Sequence, residues 1–350
     1  MGMTGFELRK ILERVITMRN KYIIPGIGIL LLLLFYAIPV SAQDQQVKKV
    51  GQTGMQFLKV DVAARPAAMA GAAIMNSYGA DAMFYNPAGL AEMTTSGDVF
   101  ASRVNWIASM GLNAGAIAKN LGNLGVIGAN FVSMDYGTLI GTRVADNTQG
   151  YDETGNVDVG AYVVGFSYAR GLTDKFRIGG QIKYASQHLG SNLMPDGSTV
   201  KNSVSTLAYD IGTIFYPGWK SLRFGMSVRN FSQQIRYEEN TFELPLTFRI
   251  GAAMDMLDLL GGVSNQSFVL EVDALHPRDY SERLHVGGEY WYGDMIALRA
   301  GYKFNYDEEG LNLGFGLKYG IAGINLKFDY AYSNLGLFNN VNRITIGGSF

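Results

Sequence analysis

Cysteine is absent from the 350 residues, which excludes a disulfide framework, thiolate metal sites and a cysteine nucleophile. Histidine is scarce, with only His188, His276 and His285. No Gly-x-Ser-x-Gly elbow, His-Glu-x-x-His zinc pair or phosphate-binding Gly-Lys-Ser loop occurs. The paired glycines within 155–160 are followed by no helical pattern, so they read as loop and wall glycines and not as a nucleotide site. Without a nucleophile, base and orienter to bring together, an enzyme is not expected, and neither is a cofactor or a resident metal. Asp307, Glu308 and Glu309 could hold calcium, but a solvated acidic turn is the default reading. A net charge of -1 with no basic block gives nucleic acid nothing to bind. After Val40 no apolar run is long enough for a membrane-spanning helix.

The one long apolar run lies at the front. Arg9, Lys10, Arg14, Arg19 and Lys21 precede Ile23 to Val40, and Val40-Ser41-Ala42 resembles a small-x-small cleavage site before Gln43. Basic, apolar and small segments in that order make residues 1–42 a secretory signal peptide. Met18 is a plausible start, since it leaves Arg19, Asn20 and Lys21 as a compact basic region. An uncleaved anchor is the alternative; Pro25, Pro39 and the Ala42 site favour cleavage. The first 42 residues carry +3 and the remainder about -4.

What the chain has instead is glycine and aromatics, with 44 Gly, 20 Tyr and 19 Phe. From about Gly97 to Phe350 apolar residues recur at every second position, which is the period of a strand. Leu311, Leu313, Phe315, Leu317 and Tyr319 share one face, and Asn312, Gly314, Gly316 and Lys318 the other. A soluble sandwich also alternates. Three features separate a membrane barrel from it. The segments approach the 9 to 11 residues a tilted strand needs to cross a bilayer. Aromatics such as Trp106, Tyr216, Trp219, Tyr290, Tyr292, Tyr302, Tyr319 and Tyr332 gather near segment ends, where an interfacial girdle sits. The fourteen segments are joined by connections that alternate between mostly long (including 137–158, 188–202 and 232–243) and mostly short (including 120–123, 171–173 and 320–321). The fold expected for 97–350 is therefore all-β, a 14-stranded antiparallel transmembrane β-barrel of the bacterial outer membrane, with lipid as its first partner.

The face opposite the apolar one holds Lys183, Arg223, Arg229, Arg249, Glu271, Asp273, Arg283, Glu289, Arg299, Lys303 and Asp329, a mixed but mostly basic lining. An anion path or binding site is one reading. A lumen filled by paired side chains and a plug is the other, and the better expectation for a narrow barrel.

Residues 43–96 break the strand pattern. Gln43 to Val50 is polar, and Val62 to Ala82 is rich in Ala, Met and Gly. Such a stretch has little bulk to bury alone but suits a hatch threading a confined lumen. Asn86-Pro87-Ala88-Gly89 reads as a rigid corner between hatch and wall, with Pro87 fixing φ and Gly89 allowing a sharp turn.

In order along the chain, Gly51-Gln52-Thr53-Gly54, Phe57-Leu58-Lys59-Val60, Ala64-Arg65, Ala68-Met69-Ala70-Gly71-Ala72 and Asp81-Ala82-Met83-Phe84-Tyr85-Asn86-Pro87-Ala88-Gly89-Leu90-Ala91 resemble the start of the PorV/PorQ family of outer-membrane proteins. Phe328-Asp329-Tyr330-Ala331-Tyr332 resembles that family's penultimate strand. The family belongs to the FadL-like group of fourteen-stranded barrels. The resemblance implies a role in the type IX secretion system, binding the C-terminal domain of secreted cargo or anchoring surface-attachment proteins. Phe350, on an amphipathic strand, resembles the signal read by the barrel-assembly machinery, although Gly348 departs from the expected apolar neighbour. The alternative is a FadL-like transporter of hydrophobic small molecules, in which the hatch shifts and the ligand leaves through a gap in the wall. That reading predicts an apolar pocket lined by hatch residues such as Met69, Met75, Met83 and Phe84.

Overall fold

A computed structural model describes residues 53–193, 199–237 and 239–350. The signal peptide expected at 1–42 and the polar stretch after it lie outside the described residues. The strands are β1 (Gly97–Asn105), β2 (Gly111–Asn120), β3 (Val126–Asp135), β4 (Leu139–Val144), β5 (Tyr151–Val157), β6 (Val159–Gly171), β7 (Phe176–Leu193), β8 (Thr199–Phe215) and β9 (Arg223–Ser232). They continue with β10 (Ile235–Arg236), β11 (Thr241–Phe242), β12 (Thr247–Asp255), β13 (Gln266–Pro277), β14 (Arg283–Tyr292), β15 (Ile296–Phe304), β16 (Leu311–Ile321), β17 (Ile324–Ser333) and β18 (Val341–Ser349). Fourteen of these close an antiparallel barrel in the order β1-β18-β17-β16-β15-β14-β13-β12-β9-β8-β7-β6-β3-β2. Closure runs through β1 against β18, with Asp98 opposite Ser349 and Asn105 opposite Asn342.

The two-residue alternation decides which face turns outward. On β16, Leu311, Leu313, Phe315, Leu317 and Tyr319 are exposed while Asn312 is buried. The same holds on β17, where Ile324, Leu326 and Phe328 face out and Asp329 is buried. On these strands the exterior is thus apolar and the inward face polar, whereas β1, β2, β3 and β6 also turn Val104, Leu112, Val132 and Val163 inward against the hatch; an apolar exterior is the arrangement lipid requires.

The end of the barrel that carries the long connections differs from a simple loop picture. Segment 137–158 contains the β4–β5 hairpin, and 232–243 contains the short β10–β11 pair, each a separate two-stranded sheet. The β4–β5 strands escape a period-two reading because both their faces are largely exposed and neither is uniformly apolar, as at Thr142, Arg143, Asp152 and Glu153. Within 188–202, residues 188–193 and 199–202 belong to strands: β7 has 18 residues and β8 has 17, well beyond the 9 to 11 that span a bilayer. The surplus projects from the end that carries the long connections.

Inside the barrel, residues 53–96 form an irregular hatch with an α-helix, α1 (Ala64–Ala68), and 3-10 turns at Gln56–Lys59, Ala80–Phe84 and Pro87–Glu92. Irregular backbone leaves N–H and C=O groups without ladder partners. Polar side chains of the wall supply them. Asp273 accepts from the Ala73 N–H at 3.1 Å, Glu271 from Met75 at 2.9 Å and Asp98 from Ala80 at 2.9 Å. Ser102 and Arg343 donate to the carbonyls of Val62 and Asp61, each at 2.7 Å.

Candidate functional site

The hatch is pinned at mid-lumen by a buried ionic cluster. Arg65 from α1 reaches Glu289 on β14 through Nε and Nη2, at 2.8 and 2.9 Å. Arg299 on β15 meets the same carboxylate at 2.6 Å and passes on to Asp329 of β17 at 2.7 Å. Asn76 donates to Glu289 as well, at 3.0 Å. Nothing in the sequence links Arg65 to a residue 224 positions away. Its one visible mark is a single charge in a stretch of Ala, Met and Gly.

The corner motif occupies the floor. Asn86, fully buried, accepts from the Ala88 N–H at 3.1 Å and donates to the carbonyls of Ile74 at 2.7 Å and Thr213 at 3.2 Å. It caps the turn Pro87–Glu92, with Pro87 in the first position, where its missing N–H costs nothing. The backbone of Pro87 and Ala88 lies directly on Gly179, and Asn86 on Gly212, where any side chain would collide. Gly89 closes the turn by donating its N–H to the Asn86 carbonyl at 2.9 Å, but it does so without a positive φ. It lies within the 3-10 turn, and a Cβ there would strike the Ser77 carbonyl, so close approach and not backbone freedom calls for glycine. Removing the Asn86 side chain takes the donor from the buried Ile74 carbonyl and the acceptor from the buried Ala88 N–H. Asn86→Ala is expected to cost about 2–4 kcal/mol, read as a lower midpoint in denaturant against a wild-type control.

At the opposite end the hatch is clasped to a loop. Asp279, between β13 and β14, is fully buried and accepts from Thr53 Oγ1 at 2.8 Å, Gln56 Nε2 at 2.9 Å and Lys59 Nζ at 2.9 Å. Burial would raise this carboxyl, but the hydrogen bonds from Gln56, Lys59 and Thr53 outweigh it and hold the group below the usual carboxylate range. The folded value is below the unfolded one, so the clasp is fully present above pH ~4 and is lost as pH falls through the lowered value. Asp279→Asn is expected to speed hydrogen exchange of residues 53–60 at neutral pH, with the difference from wild type vanishing in acid.

Among the described residues the barrel ladder shifts register at His188/Ser191 between β7 and β8 and again between β8 and β9. Between β8 and β9 the register shifts at Tyr209/Ile211, so Asp210 leaves the ladder. Its carboxylate replaces the lost backbone pairing by accepting from the Asn230 N–H at 2.7 Å, and Lys183 of β7 pairs with it at 2.7 Å. Asn230 adopts φ 62, a left-handed backbone suited to a bulge. Beside this bulge two apolar features meet. Inside is a small cavity, about 30 Å³, bordered by Phe57, Leu58, Met83, Phe84, Val163 and Gln181. Outside is a groove in the wall bordered by Phe166, Ile182, Tyr209, Ile211, Phe231 and Gln181. The Gln181 amide, oriented to donate to Met83 O and Asp210 at 3.0 Å each, stands between them. Of the four hatch residues expected to line an apolar pocket, Met83 and Phe84 border this one. Met69 packs instead on Gly287 and Gly301, and Met75 on Gly225.

Phe350 sits at the barrel seam, exchanging backbone hydrogen bonds with Gly97 at 2.8 and 3.0 Å. Its ring covers Gly97. His285 points inward and bonds Tyr306 at 2.8 Å, while Glu309 is paired with Lys303 at 2.6 Å and is not a free member of an acidic turn. Among the described residues no group of three His, Asp or Glu is placed to hold a metal.

A closed fourteen-strand barrel with an internal hatch defines a class of fold. This chain is similar in structure to the monoaromatic hydrocarbon channel CymD, at 14% identity and TM-score 0.55, over 83% of this chain and 98% of that one. It is similar also to the toluene transporter TbuX of Ralstonia pickettii (14%, 0.51, 77% of this chain and 92% of that one) and to a FadL homologue of Pseudomonas aeruginosa (13%, 0.50, 77% and 93%). No protein-family model matches the chain, and no curated protein matches it by sequence. At these identities the shared property is the fold.

Proposed function

We propose that this chain is a non-enzymatic barrel of the bacterial outer membrane that passes small hydrophobic molecules through its wall. The observation that carries this reading is the pairing of an inner apolar cavity, lined by the hatch, with an outer apolar groove across the β8–β9 bulge. The likeness to a hydrocarbon channel and a toluene transporter supports it. A cavity of about 30 Å³ is the space of a single water, so this is a closed state and passage requires Met83 and Phe84 to move. Cells expressing the wild-type chain should accumulate radiolabelled toluene faster than cells expressing Phe84→Lys. Equal rates at equal surface levels would end the reading.

A second reading is favoured by the ordered motif series that resembles PorV/PorQ and by the β4–β5 and β7–β8 projections. In it the barrel is a shuttle of type IX secretion, and those projections contact cargo C-terminal domains or surface-attachment proteins, since function concentrates on long connections held by a rigid scaffold. Purification under mild detergent separates the two. Retention of a secreted or surface protein supports the shuttle, and recovery of the barrel alone with bound apolar molecules supports the transporter. In either case we assign Phe350 as the residue read by the assembly machinery, and deleting it is expected to lower the folded yield in the outer membrane.

A further inference from the structure

We propose that the loop end of the lumen contains a binding site for a phosphate-type oxyanion, independent of the hydrophobic route. The basis is an imbalance of charge within one cavity. A space of about 70 Å³ beneath the loops is bordered by Lys59, Arg229, Arg249, Arg283, His285 and Lys303. The carboxylates on its border are Asp61 and Glu309, and both are taken by Lys303, at 3.2 and 2.6 Å. Lys59 is taken by Asp279. Among the described residues, Arg229, Arg249 and Arg283 have no carboxylate oxygen within 4.0 Å.

These guanidinium groups also lack neutral partners where it matters. Nε of Arg229, Arg249 and Arg283 and Nδ1 of His285 are buried and make no hydrogen bond to the protein. Arg249 is 6% exposed and His285 1%. What holds them is indirect. Arg249 gives Nη1 to the Gly71 carbonyl at 3.2 Å, and Arg283 stands over the rings of Tyr280 and Tyr306, 4.1 and 3.8 Å from their centroids. Arg229 lies 5.9 Å from the centroid of the Tyr85 ring, and Tyr306 orients His285. Buried cations without counter-charge are costly, and the deeper cluster around Glu289 shows how this lumen handles the same need elsewhere. An oxyanion at the loop end would accept from the free Nε–H donors at once, and a guanidinium fork is the group best shaped for one. The space suits a single tetrahedral oxyanion. That chemistry is shared by inorganic phosphate and by a phosphomonoester lipid headgroup.

The experiment is calorimetric titration of the full barrel in non-ionic detergent with sodium phosphate, and in parallel with phosphatidylcholine vesicles that contain or lack phosphatidic acid. The wild type should take up phosphate saturably at one site. Arg249→Gln and Arg283→Gln should each weaken uptake by about tenfold or more. Uptake of free phosphate identifies an ion site, and uptake only from vesicles with phosphatidic acid identifies a headgroup site. Failure of the wild type to bind either, or wild-type binding by a folded Arg283→Gln protein, overturns the proposal. Arg283 lies at the half-buried rim, so its variant carries the comparison if Arg249→Gln does not fold.

Discussion

Exchanging Glu289 for glutamine is expected to free the hatch while leaving the barrel wall closed. Glu289 is 1% exposed and is the one carboxylate that both Arg65 and Arg299 contact. An amide of the same size keeps the volume, but it withdraws the negative charge between two buried guanidinium groups. Breaking a buried pair by removing one partner costs about 3–5 kcal/mol, because the remaining charge stays uncompensated. Arg299 keeps Asp329, so the uncompensated group is Arg65, which belongs to the hatch. The ratio of seated to displaced hatch should therefore fall by a hundredfold or more. Limited chymotrypsin digestion reads this directly, since trypsin does not cut the Arg65–Pro66 bond. Tyr85 of the hatch, followed by Asn86, is 1% exposed in the wild type and should resist cleavage. In Glu289→Gln it should be cut rapidly, with the barrel strands intact. Equal resistance in the two proteins would show that the cluster does not hold the hatch.

The second large effect concerns shape. Gly287 and Gly301 are register partners on β14 and β15, and together they form a bare platform on which the Met69 backbone rests. A Cβ at either position would overlap Met69. The chain cannot yield at the wall, where both residues are held in the ladder, so the hatch must. Overpacking costs about 1–3 kcal/mol at each site, and Gly287→Val with Gly301→Val should lift α1 and the turn after it off the wall. In planar bilayers the wild type is expected to be nearly silent, and the double variant to conduct in steps of a water-filled pore. The outward-facing Gly288→Ala should behave as the wild type. A silent, folded double variant would contradict the packing described.

These two sites also mark what the sequence can and cannot tell. The strands were legible because lipid imposes a strict rule at every second residue, as Leu311 to Tyr319 show, a face that runs along β16. The fourteen-strand closure followed from segment count and alternating connection length. The β4–β5 hairpin was not legible, since no apolar face is needed where water covers both sides. The hatch was visible as a break in the pattern, and its corner as Asn-Pro-Ala-Gly. Its partners were not, because Arg65 with Glu289 and Thr53 with Asp279 are contacts between residues more than two hundred positions apart. The bulge at Asp210 is likewise a three-strand property, built from Lys183 on β7 and Asn230 on β9. Of the two readings of the lumen, paired side chains describe the region around Glu289, and the loop end departs from it at Arg229, Arg249 and Arg283.

All roles given to hatch, bulge and loops presuppose that the apolar face of each barrel strand meets hydrocarbon. Because the chain has no cysteine, single cysteines can be placed without background and spin-labelled one at a time along β16, from Leu311 to Lys318, in reconstituted vesicles. Accessibility to oxygen, which concentrates in lipid, should alternate strictly, high at 311, 313, 315 and 317 and low at 312, 314, 316 and 318. Uniformly low accessibility, or the opposite phase, would place those side chains in a dry protein interior and contradict the account.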